Sequence, residues 1–462
     1  MDDIERHLAD CSMDSSSRSM DDADVIILVN QALSDVHHLD LDADMRSPSP
    51  PPRNVPITNA PFRRDDPTYE QVRDSGPPLD PEPFPAPRYN HARRANRVLC
   101  YNPITRSHFE AHDVLFRTQS QDDDWTMRLI DRVYWRMPNK ATIETRMGHL
   151  EKCHVLRRMT KADDDSVPGD SSDDDSSSDG GDLVFLLTEE IVAVKVNYCS
   201  RMQALTNGGQ SIHAGENPIV EICALRLVGV DHPHVLGCTE VLYDGENLSI
   251  IMPYCDGGDL HDLVVDCQRQ RGDTDYGIPE DEAREWFRQL LKGLQRLQEL
   301  KLCHRDLSPE NLLIRSDLAL VIDLGMCLRV PHAPAASNQF DSSGVESGTS
   351  CRRLIKPQGT VGKFPYMSPE IYRNLRGFDG YAVDMWTAGT ILFFLLTGTK
   401  YERPYDPVFN AMTQNLAGLL VHWGLDLSRE AVDLISGLIT IDPKDRTTLE
   451  EAIVHPWLHK ST

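Results

Sequence analysis

Asp306, Asn311 and Asp323 are the residues of this 462-residue chain whose types and spacing most directly suggest chemistry. Asp306 and Asn311 stand five residues apart in His304-Arg305-Asp306-Leu307-Ser308-Pro309-Glu310-Asn311, a short polar stretch between apolar runs. Asp323-Leu324-Gly325 follows Leu312-Leu313-Ile314 and Leu320-Val321-Ile322. An acidic base, a metal-binding amide and a metal-binding carboxylate, in that order, are the minimum equipment for moving a phosphoryl group from ATP to a hydroxyl. The two apolar runs read as a hairpin with its turn at 315–318. That hairpin brings the three polar side chains to one cleft.

The elements that must position these groups are legible on both sides. Leu183 to Leu187 and Ile191 to Val196 read as paired strands, the second carrying Lys195. Leu248 to Met252 reads as a further strand ending at Pro253-Tyr254-Cys255. After Pro279, with Glu280, Asp281 and Glu282 in a favourable first turn, an apolar face runs from Trp286 to Leu297 and predicts a helix. Asp384 to Thr397 is apolar all round, as a buried core helix is. Ser428 is placed to cap another helix.

This ordered set resembles the eukaryotic protein kinase superfamily, divergent and of the Ser/Thr type. The loop at 304–311 resembles H-R-D-x-x-x-x-N, and 323–325 resembles D-F-G. Ile191-Val192-Ala193-Val194-Lys195 resembles the V-A-I-K strand, and Ser368-Pro369-Glu370 the A-P-E that ends the activation segment. Asp384-Met385-Trp386 with Gly389, Asp445-Arg446 and His455-Pro456-Trp457-Leu458 are similar to the family's later helices. An ordered set of motifs carries far less risk of coincidence than one.

The resemblance implies an α+β fold of two lobes, a small sheet-rich one and a large helical one. It implies that Asp306 is the catalytic base and that Asn311 and Asp323 hold Mg²⁺. Lys195 binds ATP phosphates and is paired with Glu221, Glu216 being the neighbouring alternative. Met252, Pro253 and Cys255 form the adenine-facing linker, Asp259 reaches the ribose, and Ala193 and Leu313 sandwich the ring. Glu370 and Arg446 fasten the activation segment, and Asp384 orients the 304–306 backbone. Arg305 is expected to meet a phosphate on that segment, with Thr360 the best single acceptor and an upstream kinase as partner.

Two departures stand out. The best match to the phosphate-covering G-x-G-x-x-G-x-V is Gly148 to Val155, where Leu150 and Cys153 replace glycines. Side chains there crowd a close backbone approach to phosphate. Ser308 stands where Ser/Thr kinases usually carry Lys, and Lys363 is expected to restore the charge.

Composition bounds the rest. The formal charge of -25 and the pI near 5.0 argue against nucleic acid or an anionic membrane as main partner. Eleven cysteines without metal-ligand spacing fit reduced thiols. The stretch Met385 to Leu396 is too short to span a bilayer. These features predict a soluble, cytoplasmic protein, with the nucleus also open. Residues 1–95, acidic and rich in Ser and Pro, read as a disordered tail in which only Val25 to Leu41 has helical patterning. Residues 96–139 read as a lead-in and 140–460 as the kinase domain. The sheet-rich lobe is placed at 140–252 and the helical lobe at 256–460. Nine Asp and six Ser mark 161–182 as a solvated insert. The leading reading is a protein Ser/Thr kinase acting on protein substrates with ATP and Mg²⁺. A pseudokinase acting as a binding or scaffold module is the alternative, and a small-molecule kinase a third.

Overall fold

The computed structural model describes residues 77–119, 131–138, 140–160, 163, 183–207, 217–272, 276–334, 350–400 and 416–459. The expectations for 1–76, for Glu216 and for all of the 161–182 insert except Asp163 lie outside the described residues.

The sheet-rich lobe is built from β1 (Asn90–Ala95), β2 (Val98–Asn102), β3 (Ser107–Ala111), β4 (Val114–Arg117), β5 (Arg132–Arg136), β6 (Ile143–Glu144), β7 (Gly148–Arg158), β8 (Val184–Tyr198), β9 (Glu240–Tyr243) and β10 (Asn247–Pro253). Seven of them close a ring. β8 pairs with β10, β10 with β9, β9 with β1, β1 with β4, β4 with β5, β5 with β7, and β7 returns to β8. Closure removes the unpaired edges that an open sheet of β5, β7, β8, β10 and β9 would leave. Alternation along the strands fills the ring with Ala92, Leu115, Tyr134, Val155, Val194 and Ile251, each buried. Tyr134 donates across this interior to Glu240 Oε1 at 2.6 Å. β2 and β3 pair as a hairpin over a second small core that includes Cys100, Phe116 and Phe185.

Three expectations change here. The sequence reads as a tail over 1–95 and a small lobe from 140, yet the chain enters the sheet at Asn90. β1 reads Asn-His-Ala-Arg-Arg-Ala, and of these only Ala92 is buried. Its neighbours supply the apolar surface, so its own sequence carries no strand signal. Second, the two strands expected at 183–196 are one strand of 15 residues. Thr188-Glu189-Glu190 separate those two expected stretches. They lie instead where β8 passes from pairing with β2 to pairing with β10. Third, Gly148 to Val155 is strand, not loop, as the site geometry below requires.

The helical lobe contains α3 (Leu260–Arg271), α4 (Glu280–Glu299), α5 (Pro369–Arg373), α6 (Gly380–Thr397), α7 (Leu416–His422), α8 (Arg429–Leu438), α9 (Leu449–Ile453) and α10 (Pro456–His459). Two helices of the small lobe, α1 (Cys199–Asn207) and α2 (Pro218–Val228), precede them. α4 buries Phe287, Leu290, Leu291, Leu294 and Leu297, close to the face expected. Burial of each such side chain stabilises the fold by about 1.5–3 kcal/mol. α6 is buried along its whole length. Among the described residues it alone is long and apolar enough to cross a membrane, and it is packed inside the protein. Glu280 ties the ends of this lobe together by accepting from the Ser428 hydroxyl and from Trp457 Nε1. The hairpin of β12 (Leu312–Arg315) and β13 (Leu318–Val321) forms as expected between the two polar motifs. β11 (Leu302–Cys303), just before it, pairs with β14 (Leu328–Arg329), and β15 (His332–Pro334) pairs with β16 (Ser350–Arg352).

Candidate active site

Lys195 lies on β8 with Ala193, opposite Ile250 and Met252 of β10. Its Nζ donates to both carboxylate oxygens of Glu221, each at 2.8 Å. Both side chains are largely buried, which strengthens a charge-assisted pair. Glu221 sits in the first turn of α2, where the helix dipole favours an anion. Asn217 caps that turn by accepting from the Ile219 and Val220 amides.

The 304–311 loop is held by its own backbone and by Asp384. Asp384 accepts from the His304 N–H at 2.7 Å and the Arg305 N–H at 2.9 Å. Burial pushes the Asp384 carboxyl up to about 7, against these two N–H bonds and the Arg305 charge, which hold it down. His304 Nδ1 accepts from the Asp306 N–H, so Nε2 carries the proton and donates to the Ile322 carbonyl at 2.8 Å. Burial lowers the His304 pKa, which suits this neutral form. Asn311 Nδ2 donates to the Asp306 carbonyl at 2.7 Å, leaving its Oδ1 as the available oxygen.

Asp323 takes the left-handed backbone conformation, φ 62°, and accepts from the Gly325 N–H at 3.3 Å. Gly325 in turn accepts from the Asn217 N–H at 3.0 Å. A continuous path therefore runs from Asp306 through Asn311, the Ile322 amide on the Asn311 carbonyl, Asp323, Gly325 and Asn217 to Glu221 and Lys195. One acidic side chain, an amide oxygen, a second carboxylate and a paired lysine converge from both lobes. Asn311 and Asp323 offer the hard oxygen donors that Mg²⁺ prefers.

The linker residues follow in order. Met252 is buried opposite Ala193, and Pro253 ends β10 opposite Val192. Cys255 is half-buried, and burial pushes its thiol up to about 11. Lys152 Nζ, on β7, stands 3.8 Å from the Tyr254 ring centroid, a cation–π contact between sheet and linker. Ala193 and Leu313 are both half-buried, one in each lobe. Asp259 caps α3 by accepting from the Asp262 N–H.

Gly148 and Val155 do not form a phosphate loop. Both lie on β7, Gly148 opposite Asn197 and Val155 opposite Tyr134. A Cβ on Gly148 would overlap the Val196 carbonyl, so this glycine serves the approach of two strands. The tight turn at the start of β7 is Thr145 to Gly148, closed by the Thr145 N–H on the Gly148 carbonyl. A single glycine, read by spacing alone, does not separate these two uses.

The segment from Asp323 to Glu370 returns to the site at its end. Gly362 has φ 92° and passes so near that a Cβ would stand 2.8 Å from the Arg305 carbonyl. Lys363 then donates its N–H to Asp306 Oδ1 at 3.1 Å and its Nζ to Ser308 Oγ at 2.7 Å. Glu370 binds Arg446 through two bonds, at 2.6 and 3.1 Å, and the guanidinium stacks on Trp386. Arg305 is buried, and among the described residues its Nε has no hydrogen-bond partner. Thr360 is exposed in the turn at 359–362. Sequence reasoning missed Asn217 and Gly362. An Asn-Pro dipeptide before an apolar run signals the first as a cap, and nothing in the sequence signals the second.

The family model of the protein kinase domain matches residues 183–458, more than half of the chain. The match begins at β8, after the ring strands β1, β4, β5 and β7. The serine/threonine-protein kinase DCLK3 of Mus musculus is 30% identical over 249 residues, 53% of this chain and 28% of that protein. The probable serine/threonine-protein kinase KCC4 of Saccharomyces cerevisiae is 34% identical over 249 residues, 52% of this chain and 20% of its own. The serine/threonine-protein kinase SAPK9 of Oryza sativa subsp. japonica is 29% identical over 238 residues, 50% and 57%. The chain thus spans between a fifth and somewhat over half of the length of these relatives. With its two lobes, its lysine–glutamate pair and its ordered loop, it belongs to the eukaryotic protein kinase superfamily.

Proposed function

We propose that this chain is an active protein Ser/Thr kinase that transfers the γ-phosphoryl group of ATP to protein hydroxyls. The observation that carries this reading is the unbroken path from Asp306 to the Lys195–Glu221 pair. Catalysis of phosphoryl transfer asks for positioning and charge neutralisation, and this path supports the positioning. Asp306 accepts the hydroxyl proton. Lys195 binds the phosphates of ATP, with adenine between Ala193 and Leu313 and the linker at Met252, Pro253 and Cys255. Asn311 and Asp323 hold Mg²⁺, which neutralises charge on the phosphates when bound. Lys363 brings a cation to the Ser308 hydroxyl from the far end of the activation segment.

The scaffold reading has its own support: β7 runs as strand where a glycine loop is expected, and Ser308 removes a lysine. Calorimetric titration with ATP, with and without Mg²⁺, against the full chain and Asp323→Ala separates the two at the nucleotide step. The kinase reading expects Mg²⁺-dependent binding that Asp323→Ala weakens. Binding indifferent to Mg²⁺ and to Asp323 supports the scaffold.

A further inference from the structure

Residues 77–84, upstream of the family match, run along both limbs of the activation segment. On the returning limb, the Leu79 N–H donates to the Leu354 carbonyl at 2.9 Å, and the Leu79 carbonyl accepts from the Lys356 N–H at 2.8 Å. Ile355 is bridged on its other side to Phe378, so the limb lies between two extended neighbours. On the outgoing limb, the Glu82 N–H donates to the Arg329 carbonyl at 3.0 Å. Side chains follow the backbone. Glu82 accepts from Arg329 and from the His332 N–H, and Asp80 accepts from Lys356 Nζ at 2.7 Å. Arg353 donates to the Pro77 carbonyl, and Arg329 to the Pro83 carbonyl. Pro78 packs on the backbone of Gly377, where a Cβ would displace it.

The chain then leaves the large lobe. Phe84 buries its ring in the main core, and from Asn90 the same segment is β1 of the closed ring. It is therefore a second connection between the lobes, besides the linker at 253–256. The limbs it grips carry Arg329, Arg353 and Lys356, and the grip answers each with an acidic side chain or a carbonyl oxygen. A covalently tethered strap acts at high effective concentration, so it needs no partner and no modification to bind.

We infer that residues 77–84 are an intramolecular strap that holds the activation segment and the two lobes in the working arrangement, so that activity does not depend on phosphorylation of that segment. The inference rests on the kinase reading for its catalytic consequence alone. The strap itself is a structural claim with its own readout.

The test uses the full chain and two independent variants. Leu79→Pro/Glu82→Pro removes both strap amide donors from a stretch already rich in proline. Gly377→Ala leaves the strap sequence intact, and its Cβ meets Pro78 first, at 2.3 Å, with the Ile355 carbonyl at 3.1 Å. Amide hydrogen exchange is followed at 328–332 and 352–356, together with transfer rates before and after phosphatase treatment. Each variant is expected to speed exchange in both limbs by about tenfold or more, since local opening sets the exchange rate. Transfer falls in both variants, and phosphatase leaves the wild-type rate unchanged. Unchanged exchange in both variants overturns the strap, whether or not the protein transfers phosphate. Loss of wild-type activity on dephosphorylation overturns its regulatory consequence. If wild type transfers nothing while the variants still loosen both limbs, the kinase reading fails and the strap stands.

Discussion

The ammonium of Lys363, 2.7 Å from the Ser308 hydroxyl, sets the expectation for a pair of substitutions. Lys363→Thr removes the nearest cation to that hydroxyl and is expected to lower kcat by about 10²-fold, the scale of one lost charge-stabilising donor. Ser308→Lys in the same chain restores the charge and recovers most of the rate. Equal rates for wild type and Lys363→Thr would show that the contact is only structural. Asp384 makes a second prediction, on pH. Its carboxyl, raised to about 7 by burial, takes up a proton in the native state that the unfolded chain, at about 4, releases. Between those values the native state holds more protons, so this group's contribution to stability falls as pH rises through the window. Activity moves the other way, because the charged form alone accepts both the His304 and the Arg305 N–H. A rate profile with an acidic limb near pH 7, alongside stability that does not fall on mild acidification, is the expected pair. A rate flat from pH 6 to 8 in the same buffer series contradicts it.

At the level of elements, α2 is the joint between the two halves of the site. Asn217 caps the helix and also donates its N–H to Gly325. Asn217→Ala is expected to cost about 1 kcal/mol of stability through the lost cap. Its backbone bond to Gly325 survives, so the transfer rate falls less than in Glu221→Gln, which breaks the bidentate ion pair with Lys195. Denaturant melts and initial rates on both variants check the order. The elements also show what the sequence could carry. Lys195 is legible as one charge in an apolar strand, and Asp306, Asn311, Asp323, Glu370 and Asp384 through their place in an ordered set of motifs. β7 was misread because one glycine and one valine at a given spacing fit a loop and a strand equally. β1 was hidden because a closed ring lets one strand borrow its apolar contacts from neighbours. The strap falls within the stretch that reads as a disordered tail, and its partners lie about 250 to 276 residues downstream, beyond any local pattern.

For the whole molecule, the buried pair of Arg446 and Glu370 fastens the end of the activation segment to the large lobe. The Arg446 side chain has no exposed surface and also donates to the carbonyls of Thr440 and Ile441. Arg446→Met leaves Glu370 without its partner and is expected to destabilise the protein by about 3–5 kcal/mol. A chemical melt that moves by less than about 1 kcal/mol would place the fastening elsewhere. The account as a whole stands on Asp306 working as a base within a joined site. The most direct measurement is the initial rate of radiolabelled phosphate transfer from ATP–Mg²⁺ to a panel of protein substrates, by wild type and by Asp306→Asn, both shown folded by circular dichroism. The account predicts transfer by wild type and a loss of about 10²–10⁴-fold in Asp306→Asn. A wild-type rate no higher than that of Asp306→Asn across the panel contradicts it and leaves a kinase-shaped binding module.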